Sequence, residues 1–315
     1  MLPWWRWSST KPVHAAIVSF RKLKTKIGHV TRKAERTGCT VLLFDEPAVC
    51  GVHVAGGAPG TRDTDLLDPS CLVERVNAIV FTGGSVFGLA AADGVVRFLA
   101  ERGVGFPVGD DRVPIVPAAV IYDRSIGGRF APGPKDGYRA CANAGYGIED
   151  CGPIGAGCGA TVGKFSKKLT PDNGGFAAVV RRLPSGVLVG AVVVVNAFGN
   201  VVDCSTGGIV AGATDKRGNK VPFSGADIPR VMGANTTIGA VVTDAALTKA
   251  QAKRVAMAAH DGLARAISPS HTIYDGDALF AASTGKRKAD LAVVCAEAAL
   301  AVEMAVLKAV GGGRE

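Results

Sequence analysis

The stretch VLVGAVVVVNAFG, Val187 to Gly199, decides what kind of fold this chain builds. Its β-branched residues suit a strand, and no polar residue interrupts it before Asn196. A strand with one wet face alternates apolar and polar side chains; one without alternation is covered on both faces. The same reading extends outward to Thr40–Phe44, Asn77–Phe81, Gly175–Leu183 and Ile238–Val242, all short apolar runs bounded by glycine-rich turns.

Three helices stand among these strands. One opens at Ser85 and closes at Gly103; a second starts at Thr248, where Gln251 three positions on completes a capping box; the third runs from Leu291 to a glycine stop at Gly311–Gly313. The third is apolar around most of its circumference, which predicts burial between layers or between subunits. Strands covered by helices make a layered α/β architecture. No linker divides residues 38–315, and no internal repeat is visible.

Composition narrows the function classes. Of 315 residues, 48% are hydrophobic and 42 are glycine, well above the roughly 7% glycine of ordinary chains, so a globular core with many tight turns is expected. The formal charge is +9, but residues 1–36 carry nine bases against the single acid Glu35, a surplus of eight. The body is therefore nearly neutral, which argues against a groove for nucleic acid. Residues 1–25, with three tryptophans among the bases, read as a loosely attached extension, and no run is long and apolar enough for stable membrane insertion. Eight scattered cysteines without a C-x-x-C pair suggest reduced thiols in a cytoplasmic protein, with no zinc site.

Several polar residues interrupt apolar surroundings. Asn196 is a buried amide, so it either satisfies backbone groups or faces a ligand. Asp275 and Asp277 flank Gly276; taken alone, D-G-D reads as a solvated turn, although two close carboxylates would raise one another's pKa. Lys164 follows a small-residue run and by itself reads as a surface lysine. FTGGSVFG (Phe81–Gly88) reads as a tight strand-to-helix turn at which a substrate carboxylate could dock. His260, within a helix, reads as a surface residue. Finally, Asn235-Thr236-Thr237 stands immediately before an apolar strand. If the Asn235–Thr236 bond were cut, Thr236 would carry a free α-amine, whose usual pKa of about 7.7–8.0 suits a base beside its own hydroxyl.

The motifs GCTVLLF, GGAPGTRDTDLLDP, VFTGGSVFGLAAADGV, VPAAVIYDRSIGG, GATVGKF, VVVVNAFGN, NTTIGAVVTDA and DGDALFAAST occur in this order from Gly38 to Thr284. Together they resemble the DmpA-like family, the self-processing L-aminopeptidase/D-esterase group that includes β-aminopeptidases and nylon-oligomer hydrolases. The resemblance implies an αββα sandwich and a catalytic domain over 26–315, cut between Asn235 and Thr236 into an α chain 1–235 and a β chain 236–315. It also implies Thr236 as nucleophile, with Lys164, Asn196 and Tyr122 at the family's active-site lysine, asparagine and tyrosine positions and Asp275 and Asp277 behind the nucleophile. The implied activity is hydrolysis of linear amides in small peptides, extending to 6-aminohexanoate oligomers, without metal or organic cofactor, by a homo-oligomer of αβ units (a tetramer or larger). An acyltransferase of the ornithine-acetyltransferase type and a non-processing relative are the alternatives.

Overall fold

The computed structural model describes residues 19–147, 151–224 and 235–311. Among them the main element is one nine-stranded mixed sheet, whose strands in chain order are β1 (Thr25–Arg32), β2 (Thr37–Val54), β3 (Thr61–Arg62), β4 (Arg75–Thr82), β5 (Ala118–Val120), β6 (Gly175–Arg182), β7 (Leu188–Asn196), β8 (Thr236–Ala245) and β9 (Ala278–Arg287). They pair in the order β6-β7-β8-β9-β2-β4-β5-β3, with β1 added to β2. Four longer helices cover them: α1 (Ala91–Ala100), α2 (Pro134–Ala142), α3 (Lys249–Ala266) and α4 (Leu291–Gly311).

The long strand β2 turns this sheet into two layers. Its first half pairs with β1 and β4, its second half with β9, and the register slips between Leu43 and Ala48. At the slip Asp45, Glu46 and Pro47 are exposed, so the proline, which has no N–H to offer a ladder, sits where none is required. The sequence suggests a strand ending at Phe44; the chain instead bulges and continues into the second layer.

Three large apolar cores follow. Val41, Val80 and Phe98 pack under α1 and α2. Leu42, Phe81, Val192, Ile238 and Phe280 meet between the two halves of the sheet. Val193, Val241, Leu279, Leu263 and Val302 pack beneath α3 and α4. The order is helix, sheet, sheet, helix. Successive residues of β7 alternate between the second and third cores, with Val192 and Val194 in one and Ala191, Val193 and Val195 in the other, which is why the run lacks polar alternation. Each such valine contributes about 1.5–3 kcal/mol by leaving water.

One expectation changes. The fold begins before the boundary placed at residue 25, because Phe20 and Leu23 are fully buried in a short 3-10 turn. They pack over Gly190, where a Cβ would stand 2.8 Å from Leu23 and 3.1 Å from Phe20. The C-terminal helix α4 buries one face on α3, β6 and β7 but leaves Val293 and Met304 exposed, so within the chain it is covered on one side.

Candidate active site

Strand direction gathers the site. The strands β8 and β9 are parallel, so their first residues lie side by side, and β7 runs antiparallel to β8, bringing its last residue to the same end. Asn196 is paired with Thr236, while Asn235 bridges Asp275 just ahead of β9. A residue ending one strand, a residue opening another and a turn entering a third therefore share one edge.

Thr236 is 5% exposed and its hydroxyl donates to the carbonyl oxygen of Asn235. That carbonyl also accepts the Gly276 N–H at 2.9 Å. Gly276 has no room for a side chain: a Cβ there would lie 2.9 Å from Thr236 Oγ1 and 2.6 Å from the carbonyl oxygen of Ala58.

The D-G-D turn is not solvated. Asp275 and Asp277 are 1% and 2% exposed, because the turn is overlaid by the loop after β2, where Ala58 N–H donates to the Asp275 carbonyl and Ala55 N–H to that of Asp277. Asp275 accepts from the N–H of Phe198 at 3.1 Å and from the N–H and hydroxyl of Thr272. Asp277 accepts from Thr237 N–H at 2.6 Å and from His271 Nδ1 at 2.7 Å. Burial, and then the neighbouring Asp277 carboxylate, push the Asp275 carboxyl up to about 6.

Lys164 turns inward to Asn196 rather than out to solvent. The backbone of Gly163 and Lys164 pairs with Gly199 and Phe198 just beyond β7, which returns the lysine side chain toward Asn196. Its ammonium donates to the Asn196 backbone oxygen at 2.9 Å and to Oδ1 at 2.8 Å. Burial lowers its pKa to about 7, against the opposing pull of Asp275 and Asp123. Asn196 is fully buried; its Oδ1 also accepts Thr161 N–H, and its Nδ2 donates to the Tyr122 carbonyl at 3.1 Å. Tyr122 thus joins the site through its backbone.

Two groups escaped the sequence reading. Asp123, 2% exposed, accepts the Gly84 N–H at 2.7 Å, so the strand-to-helix turn suggested for a substrate carboxylate is occupied by the chain's own; burial raises its pKa. His260 is buried, 5% exposed, and lies between the rings of His53 and His271. Its signal was its place on the apolar stripe of α3, four residues after Ala256 and three before Leu263.

A buried threonine hydroxyl on a carbonyl, a lysine tuned to near neutrality and a carboxylate pair can together move a proton and open an amide. Among solved structures the fold resembles a Burkholderia β-aminopeptidase (TM-score 0.67, 22% identity, covering 90% of this chain and 83% of that one). It is similarly close to the L-aminopeptidase D-Ala-esterase/amidase of Ochrobactrum anthropi, described as a variant of the Ntn hydrolase fold (TM-score 0.66, 20% identity, 91% and 83% covered). The architecture is thus that Ntn-hydrolase variant, an αββα sandwich.

The chain belongs to peptidase family S58, whose model matches residues 24–314. It is similar to an uncharacterized aminopeptidase of Mycobacterium bovis, 45% identical over 260 residues (79% of this chain, 73% of the relative). It is also similar to a 6-aminohexanoate-oligomer endohydrolase of a Kocuria species, 33% identical over 258 residues (79% and 69%). It is a hydrolase of peptide or amide bonds. No helix among the described residues is long and apolar enough to cross a membrane.

Proposed function

We propose that this chain is an autoprocessing amidohydrolase that cuts itself between Asn235 and Thr236 and then uses Thr236 as an N-terminal nucleophile on linear amides. The observation that carries the reading is the contact of the Thr236 hydroxyl with the Asn235 carbonyl, itself held by the Gly276 N–H. In self-cleavage Thr236 Oγ1 bonds to the Asn235 carbonyl carbon while its proton passes to Lys164, whose pKa of about 7 matches that duty. The oxyanion forms on the Gly276 N–H, a donor worth about 2.7–4 kcal/mol in a preorganised site. The Asn235–Thr236 C–N bond then breaks with the proton delivered to nitrogen, leaving an ester. Water hydrolyses it, giving an Asn235 carboxylate and a free Thr236 amine.

In turnover the same oxygen attacks a substrate amide, with the Thr236 amine and Lys164 handling the proton. In this scheme Asn196 Nδ2, positioned by the Tyr122 carbonyl to which it donates, supplies a donor to the substrate oxyanion, and Asp275 and Asp277 steady the nucleophile's strand and its ammonium. The amine product leaves, and water releases the acid from acyl-Thr236. The substrates are small peptides and linear amides with a free amine. The name of the Kocuria relative supports 6-aminohexanoate oligomers as further substrates. We place the active enzyme in the cytoplasm as a homo-oligomer of αβ units, a tetramer or larger.

The test is hydrolysis of an aminoacyl anilide and of a 6-aminohexanoate oligomer by the parent and by Thr236→Ala. The parent releases amine and the variant neither cuts itself nor turns over. A Thr236→Ala protein that is cut before residue 236 sinks the scheme, and product diverted to an added acceptor amine makes the enzyme an acyltransferase instead.

A further inference from the structure

Behind the carboxylate pair lies a row of three imidazoles. The ring of His271 meets that of His260 at 4.8 Å between centroids, and His260 meets His53 at 5.0 Å, both in T-shaped contact. His260 Nε2 is bonded to the His53 carbonyl oxygen at 3.0 Å. At the inner end His271 grips one oxygen of Asp277 with both its backbone N–H (3.2 Å) and Nδ1 (2.7 Å), while the other oxygen holds Thr237 N–H. The next residue, Thr272, grips Asp275 in the same double manner, through N–H and hydroxyl. His271 has φ +53°, a left-handed conformation uncommon outside glycine. The backbone is held in a sparsely used region, and what that achieves is one residue on each carboxylate.

We propose that His271 is a positioning residue for the nucleophile. As an imidazolium it fixes Asp277, which fixes the N–H of Thr237 beside Thr236, and its positive charge offsets the negative charge of Asp277 next to Asp275. The proposal rests on Thr236 being the nucleophile.

The groups around His271 make this the place where the row carries its charge. Asp275 and Asp277 face it from the turn, His260 from α3 and His53 from β2; Lys253 acts on His53, and Lys164 on Asp275 from the other side. Burial lowers His260 to about 4 and also lowers His53, so both rings are neutral at pH 7. Burial acts against His271 as well, but the Asp277 contact overcomes it and raises its pKa above the ordinary value. Its charge therefore persists to higher pH than that of an ordinary imidazole and is lost as pH rises through that raised value.

The test uses His271→Asn and His271→Ala in the full chain, following self-cleavage by intact mass and the pH dependence of kcat and KM on an aminoacyl anilide. Asparagine tolerates the left-handed backbone and can donate to Asp277, but it carries no charge. We expect H271N to fold and cut, with the acid limb of kcat moved up by roughly one pH unit, because an uncompensated Asp277 makes Asp275 harder to ionise. H271A loses the contact too; its kcat falls at least tenfold with KM little changed. Thermal melting shows whether H271A folds, and H271N decides the question if it does not. Variants with the parent's pH profile and kcat overturn the proposal alone. A parent that stays uncut and inactive removes the Thr236 reading and this proposal with it.

Discussion

Replacing Gly276 with alanine puts a methyl group into the space taken by the Thr236 hydroxyl. The new Cβ would stand 2.9 Å from Thr236 Oγ1, 2.6 Å from the Ala58 carbonyl oxygen and 3.2 Å from Pro59 Cα. Neither backbone neighbour yields easily, because the loop is tied to the same turn by hydrogen bonds from Ala55 to Asp277 and from Ala58 to Asp275. The turn itself must shift. Overpacking of this kind costs about 1–3 kcal/mol of stability, and the shift draws the Gly276 N–H off the Asn235 carbonyl. Losing one oxyanion donor slows a reaction by about 10²–10³. Freshly made Gly276→Ala protein should therefore be largely full length where the parent is cut, with a mass time course giving the rate and a melting curve giving the stability loss. Gly145→Ala serves as control, since no atom lies within 4 Å of a Cβ there. A Gly276→Ala chain cut as fast as the parent would refute the assignment of this turn to the scissile carbonyl.

Other perturbations follow from the same geometry. Lys164 has a folded-state pKa near 7, well below its unfolded value, so between these two values the unfolded chain binds more protons and stability rises with pH; Lys164→Met should abolish that rise in melting temperature above pH 7. With Lys164 near 7 as the base and Asp275 raised to about 6 by burial and by Asp277, kcat should fall as pH drops through about 7 and fall more steeply through a second limb near 6. Asp277→Asn, which keeps an oxygen for the Thr237 N–H but removes the charge, should move that limb to lower pH. Burial pushes the thiols of Cys50 and Cys141 up to about 12, so native-state alkylation with iodoacetamide should spare turnover; inactivation in step with labelling of either thiol would contradict a threonine nucleophile.

How much of this was legible in the sequence depended on whether the decisive partner was local. The double burial of Val187–Gly199 is written in the run itself, and Asn196 is visible because it alone breaks it. The capping box at the start of α3 is local too, and Gln251 and Thr248 exchange both bonds. The burial of Asp275 and Asp277 is not local: it comes from the parallel pairing of β8 with β9 and from the distant loop that holds Ala55 and Ala58, so the turn composition pointed to solvent. Lys164 looked like a surface residue for the same reason, its acceptor being Asn196. The continuation of β2 through Pro47 was hidden because a proline argues against a strand unless it falls on a bulge. His260 is polar by type, but its helical spacing places it on the stripe formed by Ala256, Ala259 and Leu263, and that stripe buries it. The motif series pointed to Lys164, Asn196, Thr236, Asp275 and Asp277 together, which spacing alone did not.

The most direct measurement is the intact mass of the purified protein under denaturing conditions, with the N-terminus of each species sequenced. The account predicts two species, one ending at Asn235 and one beginning with Thr236. A single full-length mass after prolonged incubation, in a protein that still hydrolyses amides, would contradict it, because Thr236 could then have no free amine.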